Sequence, residues 1–265
     1  METNPDLVHY ASAIQDHRQW LKQFGEIRCG AWERLLANDS ESAIVEACAR
    51  QWLSLHVEKV EPAEDLSTGG PDFLCQKSGE SFYAEVACLE RKTVTEDISL
   101  QPMPDNKAQC FRPLTRAVFR KCIGKAKQCG GLDAPVLLLI GTMHFQGSEI
   151  CFNPDFLNDT LTGETYISWK SNLATGELVE GPRNATSLSK ASFLAPSKND
   201  AMSFDFVRRS ISGVLFCGFG LIPPVVTGIL HPRAARPFNS ELLAAVKFGR
   251  VVEQDGTFSV DWTNG

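Results

Sequence analysis

"GGPDFLCQKSGESFYAEVACLE", residues 69–90, has the pattern of two strands joined by a tight turn, and the rest of the fold is predicted around this hairpin. The segments on either side of Ser78 and Gly79 are rich in aromatic and branched residues, and that dipeptide is typical of a two-residue hairpin loop. Counting outward from the loop pairs Asp72, at the start of the first strand, with Glu85, near the end of the second. The hairpin therefore brings two acids face to face.

Opposed acids on paired strands need a compensating feature. Directly opposed side chains have Cβ atoms about 4.5–5.5 Å apart, and like charges at that distance are destabilising. A divalent cation bridging the carboxylates of Asp72 and Glu85 would compensate, because hard ions such as Mg²⁺ are held by oxygen ligands. The alternatives are a different register, or two acids that face solvent at a frayed end. The hairpin alone leaves these interpretations open.

The whole chain predicts one main globular unit of the α/β class. Its 265 residues, 43% of them hydrophobic, are enough to bury a substantial core. Helical and strand patterns alternate, which predicts a mixed central β-sheet flanked by helices. Within a single domain over 1–265 we expect an N-terminal helical segment (1–38), a core (40–142), a loop-rich insertion (150–200), and C-terminal strands and a helix (201–265).

Local patterns predict the individual elements. Residues 6–37 look helical with breaks at Gly25 and Gly30, and a second helix, capped by Asp39 or Ser40, runs to about His56. After these helices we expect a strand near 56–62, the hairpin, a polar loop (93–113), a basic helix (114–129) and a strand (134–142). The polar stretch after 150 is a loop, a small hairpin or an insertion. It is followed by a helix near 200–211, strands at 213–219 and 223–232, and a helix at 240–248.

Composition indicates the cellular compartment and the kinds of partner to expect. Nine cysteines form no C-x-x-C pair and the first thirty residues lack an apolar signal core, so we expect free thiols and a cytoplasmic protein. The apolar stretches are too short and too broken to span a bilayer, which argues against a membrane role. A net charge of −6 counts against a nucleic-acid partner without excluding one. The run at 111–127 is basic and free of acids, as a solvated helix face often is.

The order of these motifs resembles that of the PD-(D/E)XK nuclease superfamily, and the chain looks like a bacterial member of it. The likeness covers residues 40–142: a helix containing Glu46, then "GGPDF", then Glu85-Val86 at the end of a strand, then a basic helix with a Lys and a Gln. It implies a restriction-endonuclease-like core with a C-terminal extension. It also implies that Asp72, Glu85 and the Val86 carbonyl hold Mg²⁺ or Mn²⁺, and that Glu46 is the acid of the preceding helix.

One position departs from the superfamily pattern. The family usually places a lysine two residues after the strand glutamate, and Ala87 stands there. Some members supply the lysine from the following helix, and Lys125 is our candidate for that role. Lys121, Lys125 and Gln128 fall at i, i+4 and i+7 and share one helix face.

Other residues are weaker candidates for a role in the site. Lys92, beyond the end of the strand, is a second choice for the missing lysine. Gln128, Arg116 and Lys121 are candidate substrate-binding residues, and Arg120 continues the same helix toward phosphates. Lys127 projects from another face and serves as the contrast to Lys125.

The function expected from the resemblance is metal-dependent phosphodiester hydrolysis of a nucleic acid. The absent strand lysine leaves a second interpretation, a catalytically inactive nuclease fold used for binding or regulation. A third is an α/β enzyme of another kind whose acids are coincidental. The sequence does not distinguish DNA from RNA, and it leaves the oligomeric state open, with a homodimer as one option.

Overall fold

The structure is a computed structural model. It describes residues 8–92, 107–150, 153–198, 203–254 and 257–262. Three helices lead into a hairpin, a long helix and a buried strand. These elements are α1 (Ala11–Lys22), α2 (Glu26–Asn38), α3 (Ser40–His56), β1 (Lys59–Pro62), β2 (Phe73–Lys77), β3 (Glu80–Cys88), α4 (Lys107–Gln128) and β4 (Val136–Thr142).

The second half of the chain contributes shorter helices and most of the remaining strands. Its elements are α5 (Phe145–Ile150), α6 (Pro154–Thr162), β5 (Glu164–Ser171), β6 (Leu178–Ser187), β7 (Leu194–Pro196), β8 (Phe204–Phe206), β9 (Gly213–Gly218), β10 (Val225–Leu230), β11 (Lys247–Gln254) and β12 (Thr257–Asp261), with 3-10 turns at Leu188–Lys190 and Ser240–Leu243. A helix and a hairpin thus fill the polar stretch after residue 150.

The centre of the molecule is an eight-stranded mixed sheet in the order β1-β2-β3-β4-β9-β10-β11-β12. The pairs β3–β4, β4–β9 and β10–β11 are parallel, and the other neighbours are antiparallel. Side chains alternate between the faces, so Leu137 and Leu139 pack toward α1–α3 while Leu138 and Ile140 pack toward α4 and α6. The predicted mixed sheet flanked by helices is confirmed.

The hairpin has the register that its turn predicts. Phe73 pairs with Ala84 and Lys77 with Glu80. Ser78 and Gly79 close the loop with φ of 52° and 78°, the left-handed values that a two-residue hairpin turn of this kind requires. The register therefore places Asp72 and Glu85 next to each other at the start of β2.

Several sequence-based boundaries were wrong. The basic helix begins at Lys107 instead of residue 114, with Pro113 inside it, and Gly30 lies within α2 instead of breaking it. The helix expected near 200–211 was wrong over its described part, because residues 204–206 form the strand β8, which pairs with β7; residues 200–202 lie outside the described residues.

The C-terminal helix expected at 240–248 was also wrong. It is a 3-10 turn, after which Lys247 begins β11. Pairing of β11 with β10 overrides the local helical pattern there.

Two further expectations concern the cysteines and the membrane. Seven cysteines are free and buried: Cys29, Cys48, Cys75, Cys88, Cys122, Cys129 and Cys217. Among the helices of the described residues, none has the length and apolar character needed to cross a bilayer.

Candidate functional site

Asp72 and Glu85 form the centre of the candidate site. Asp72 directly precedes the first paired residue of β2, and its Oδ2 accepts a hydrogen bond from the backbone N–H of Val86 at 2.6 Å. That bond ties the aspartate to the strand that carries Glu85. The Glu85 side chain is completely buried. A carboxylate at such a depth needs a partner, since desolvation of an isolated charge is costly.

Lys125 supplies one partner from the helix α4. Its Nζ contacts Oε1 of Glu85, and its side chain retains 27% of its exposure, so the ammonium lies between the buried carboxylate and solvent. The second oxygen of Glu85, Oε2, is buried without a hydrogen-bond partner among the described residues. The site therefore contains an acceptor atom that no described residue satisfies.

Glu46 reaches the same region from α3. Asp39 caps this helix by accepting from the N–H of Ser42 at 3.1 Å, as the sequence predicts. Oε1 of Glu46 lies 3.4 Å from Nε2 of His17, and the Glu46 side chain is 20% exposed. His17 is fully buried, and burial together with the charge of Arg50 lowers its pKa to about 3. A neutral His17 cannot balance the acids.

The three acids share an unusual electrostatic environment. Burial, followed by the charge of Glu46, raises the pKa of Asp72 to about 8. Burial, followed by the charge of Asp72, raises the pKa of Glu85 to about 8. Burial, followed by the charges of Glu64 and Glu85, raises the pKa of Glu46 to about 8. Lys125 opposes all three shifts but does not cancel them.

Lys125 itself remains charged. Burial lowers its pKa, but the charge of Glu85, the hydrogen bond to Glu85 and the charge of Asp72 together outweigh burial and raise it. A permanently protonated ammonium beside two carboxylates can stabilise negative charge on a group bound there.

Glu64 belongs to this cluster, and the sequence reasoning missed it. It lies in the loop between β1 and β2, and its charge raises the pKa of Glu46, Asp72 and Glu85. Its backbone oxygen accepts a hydrogen bond from Arg28 Nη1 at 2.7 Å. The only signal in the sequence is an acidic "EPAED" shortly before "GGPD", which does not reveal where the loop folds back.

Gln128 holds the same loop instead of facing the acids. Its Nε2 donates to the backbone oxygen of Gly70 at 2.8 Å, and Gly70 has a φ of 143° that other residues rarely adopt. The side chain therefore connects α4 to the loop that carries Glu64 and Asp72. A substrate-binding role for Gln128 stays a prediction.

The remaining basic candidates lie further along α4. Arg116 and Arg120 are exposed, and at 1.5 Å per residue Arg116 is about 13 Å from Lys125 along the helix axis. Lys121 is half-buried and lies near Cys88 at the end of β3. Burial raises the pKa of Cys88, and the charge of Lys121 lowers it by a smaller amount. The fold thus brings together Glu46, Asp72, Glu85 and Lys125, and leaves Arg116 and Lys121 outside the acid cluster.

The packing of Ala87 explains why no lysine stands there. Ala87 is buried in the core on the α4 side of the sheet, together with Val118 and Cys122 of that helix. A lysine at this position would have to pass through the helix–sheet contact. Lys92 is exposed and lies beyond the end of β3.

The donor set suits a weakly coordinated hard cation. Within the described ranges no group of three or more His, Cys, Asp or Glu side chains has an arrangement that could hold a metal ion. Mg²⁺ in enzymes is usually bound through one or two carboxylates and keeps several waters or substrate oxygens. Asp72, Glu85 and the adjoining backbone of Val86 fit that pattern, and the unsatisfied Oε2 of Glu85 is a suitable donor atom.

Comparison with known proteins adds no assignment. The chain matches no protein-family model, no curated protein and no solved structure. The site is therefore interpreted from its own geometry.

Proposed function

We propose that this protein is a metal-dependent phosphodiester hydrolase, similar to PD-(D/E)XK nucleases, that acts on nucleic acid. The observation that carries the proposal is the Asp72–Glu85 pair, in which Glu85 is fully buried with Lys125 on one oxygen and no hydrogen-bond partner among the described residues on the other. Perturbed titratable groups gathered at one point of a fold favour a catalytic site over a solvated surface.

Each residue has a distinct role in the proposed chemistry. Asp72, Glu85 and the Val86 carbonyl would hold Mg²⁺ or Mn²⁺, which when bound polarises a phosphodiester and lowers the pKa of a bound water. Lys125 stabilises the negative charge that develops on the phosphate oxygens. Glu46, with a pKa raised to about 8 by burial and by the charges of Glu64 and Glu85, is suited to exchange a proton near neutral pH.

A catalytically inactive nuclease fold is the second candidate. Ala87 at the usual lysine position and the lack of a three-ligand cluster within the described ranges favour it. An inactive fold of this kind would use the same surfaces for binding and would need no divalent ion. The two candidates therefore differ in their response to metal.

One experiment separates the candidates. The pure protein is incubated with single-stranded and duplex DNA and RNA in Mg²⁺, Mn²⁺ or EDTA, and its melting temperature is measured in the same buffers. We expect cleavage and a rise in melting temperature with either metal, because a ligand that binds only the native state stabilises it. Asp72→Asn should abolish both effects, whereas Asp205→Asn, on the exposed strand β8, should retain them. Lack of cleavage together with lack of any metal effect favours the inactive fold.

A further inference from the structure

A cavity of about 270 Å³ opens beside the acid cluster. It lies between the α1–α2 helices and the loop that joins β1 to β2, and both Glu46 and Asp72 line it. Typical sites for drug-sized ligands occupy roughly 300–1,000 Å³. This volume suits one planar ring system and not a larger folded ligand.

The walls of the cavity are aromatic and aliphatic on the helical side. Trp20, Trp32 and Phe73 line it together with Leu21 and Leu35. Aromatic side chains bind unstacked nucleobases, because every base presents a flat π-face. Trp32 and Phe73 are almost completely buried and Trp20 is partly exposed, so Trp20 is the ring against which a base can stack.

The cavity also has polar groups that can contact the edge of a base. The carboxyl groups of Glu46 and Glu64 on the opposite side are acceptors when ionised. Adenine, guanine and cytosine carry both a ring acceptor and an amino donor. Carboxylates accept from such amino groups in protein–nucleic acid complexes.

The polar side of the cavity is held in place. Arg28 Nη1 donates to the backbone oxygen of Glu64 at 2.7 Å, and Gln128 Nε2 donates to the backbone oxygen of Gly70 at 2.8 Å. Helices α2 and α4 therefore fix the loop from both ends. The cavity is formed before any ligand enters.

We infer that this cavity binds one unpaired nucleobase of the strand whose phosphate lies at Asp72 and Glu85. The inference rests on the proposed function and specifies its substrate class, because Asp72 lines the cavity and also belongs to the acid pair. A base within a duplex is stacked and paired, and taking it out costs a few kcal/mol. The substrate is therefore single-stranded or locally unpaired nucleic acid.

Leu66 provides a way to close the cavity without disturbing the core. It lines the cavity from the loop and is 47% exposed. Leu66→Trp adds bulk at the entrance, and Leu66→Ala removes bulk at the same position. Leu55→Trp is the matched control, since Leu55 is 78% exposed on α3 and lines a different cavity.

The test measures the affinity for a fluorescein-labelled DNA oligonucleotide and for its duplex, with Ca²⁺ replacing Mg²⁺ to prevent cleavage. We expect the wild type and Leu55→Trp to bind the single strand at least about fivefold more tightly than the duplex, the lower end of what one stacked base contributes. Leu66→Trp should lose that preference, and Leu66→Ala should keep it.

The outcomes separate the cavity from the proposed hydrolysis. Equal affinity for single strand and duplex in the wild type, with cleavage in Mg²⁺, overturns the cavity inference and leaves the hydrolase intact. A single-strand preference that only Leu66→Trp abolishes, without cleavage in Mg²⁺, supports the cavity and overturns the hydrolase. Failure to bind or cut either form overturns both.

Discussion

Three carboxyl groups in the candidate site connect its charge to the stability of the protein. Asp72, Glu85 and Glu46 each have a pKa raised to about 8, with burial as the largest cause. In the unfolded chain these carboxyl groups have a pKa of about 4. Between these values the folded state binds more protons than the unfolded chain. The free energy of unfolding therefore falls as the pH rises from about 4 to about 8 in the absence of metal.

Asp72→Asn should reduce this pH dependence. The amide keeps an acceptor for the Val86 N–H but has no charge, so the variant should melt a few degrees above the wild type at pH 8 in EDTA. Near pH 4 the two should melt together, because Asp72 is then protonated. Thermal melts across this range, with Asp205→Asn as the control, test the expectation. An offset that is the same at every pH would show that charge is not the cause.

Lys125 is the residue that separates an enzyme from an inactive fold. Lys125→Ala should reduce the cleavage rate by about 10²–10³, as loss of a charge-stabilising donor does in other enzymes. Metal should still raise the melting temperature, because Asp72 and Glu85 remain. Metal-free stability should fall, because the variant leaves the buried Glu85 without its cation.

Lys127→Ala is the matched control for Lys125. Lys127 is exposed on another face of α4, so both its cleavage rate and its melting temperature should stay close to those of the wild type. Cleavage that survives Lys125→Ala and disappears in Lys92→Ala would show that the other lysine acts.

At the scale of elements, Gly141 in β4 allows α3 to lie directly on the sheet. A Cβ at this position would be 2.6 Å from Val45 Cγ1 and 2.9 Å from the ring of Phe219. Val45 immediately precedes Glu46. The absence of a side chain in β4 therefore helps to set the depth at which the helix places its acid.

Gly141→Ala should destabilise the protein by roughly 1–3 kcal/mol through overpacking. Gly124→Ala is the contrasting change, because Gly124 lies inside α4 with no atom within 4 Å of an added Cβ. It should stabilise by up to about 1 kcal/mol from helix propensity alone. Urea unfolding of both variants measures these free energies. A Gly141→Ala variant as stable as the wild type would mean that α3 does not need this close contact.

Elements determined by local chemistry could be predicted from the sequence. The turn at Ser78 and Gly79 sets the hairpin register, and the Asp39 cap sets the start of α3. The face shared by Lys121, Lys125 and Gln128 follows from helical periodicity alone. Lys125 could therefore be chosen before its contact with Glu85 was known.

Features that depend on distant parts of the chain could not be predicted in this way. Glu64 joins the acids only because a loop folds back between α2 and the hairpin, where Arg28 and Gln128 hold it. β11 forms because Lys247 and the residues after it pair with β10. His17 meets Glu46 through the packing of α1 on α3. None of these contacts has a signature within its own segment.

At the scale of the whole molecule, charge is distributed unevenly. The chain carries a net charge of −6, and the candidate site concentrates acids around the single ammonium of Lys125. The exposed residues Arg116 and Arg120 provide positive charge further along α4. A nucleic acid would therefore be attracted by α4 and repelled by the metal-free acid cluster.

The salt dependence of binding tests this distribution. Each phosphate contact to a single strand contributes about 0.7 to the slope of log affinity against log salt. Arg116→Glu combined with Arg120→Glu should reduce the magnitude of that slope by roughly 1.4 and weaken binding. The same measurement on Lys247→Glu combined with Arg250→Glu, an equal change of charge on the exposed part of β11, should give a slope close to that of the wild type. If both double variants change the slope equally, net charge rather than the face of α4 governs the attraction.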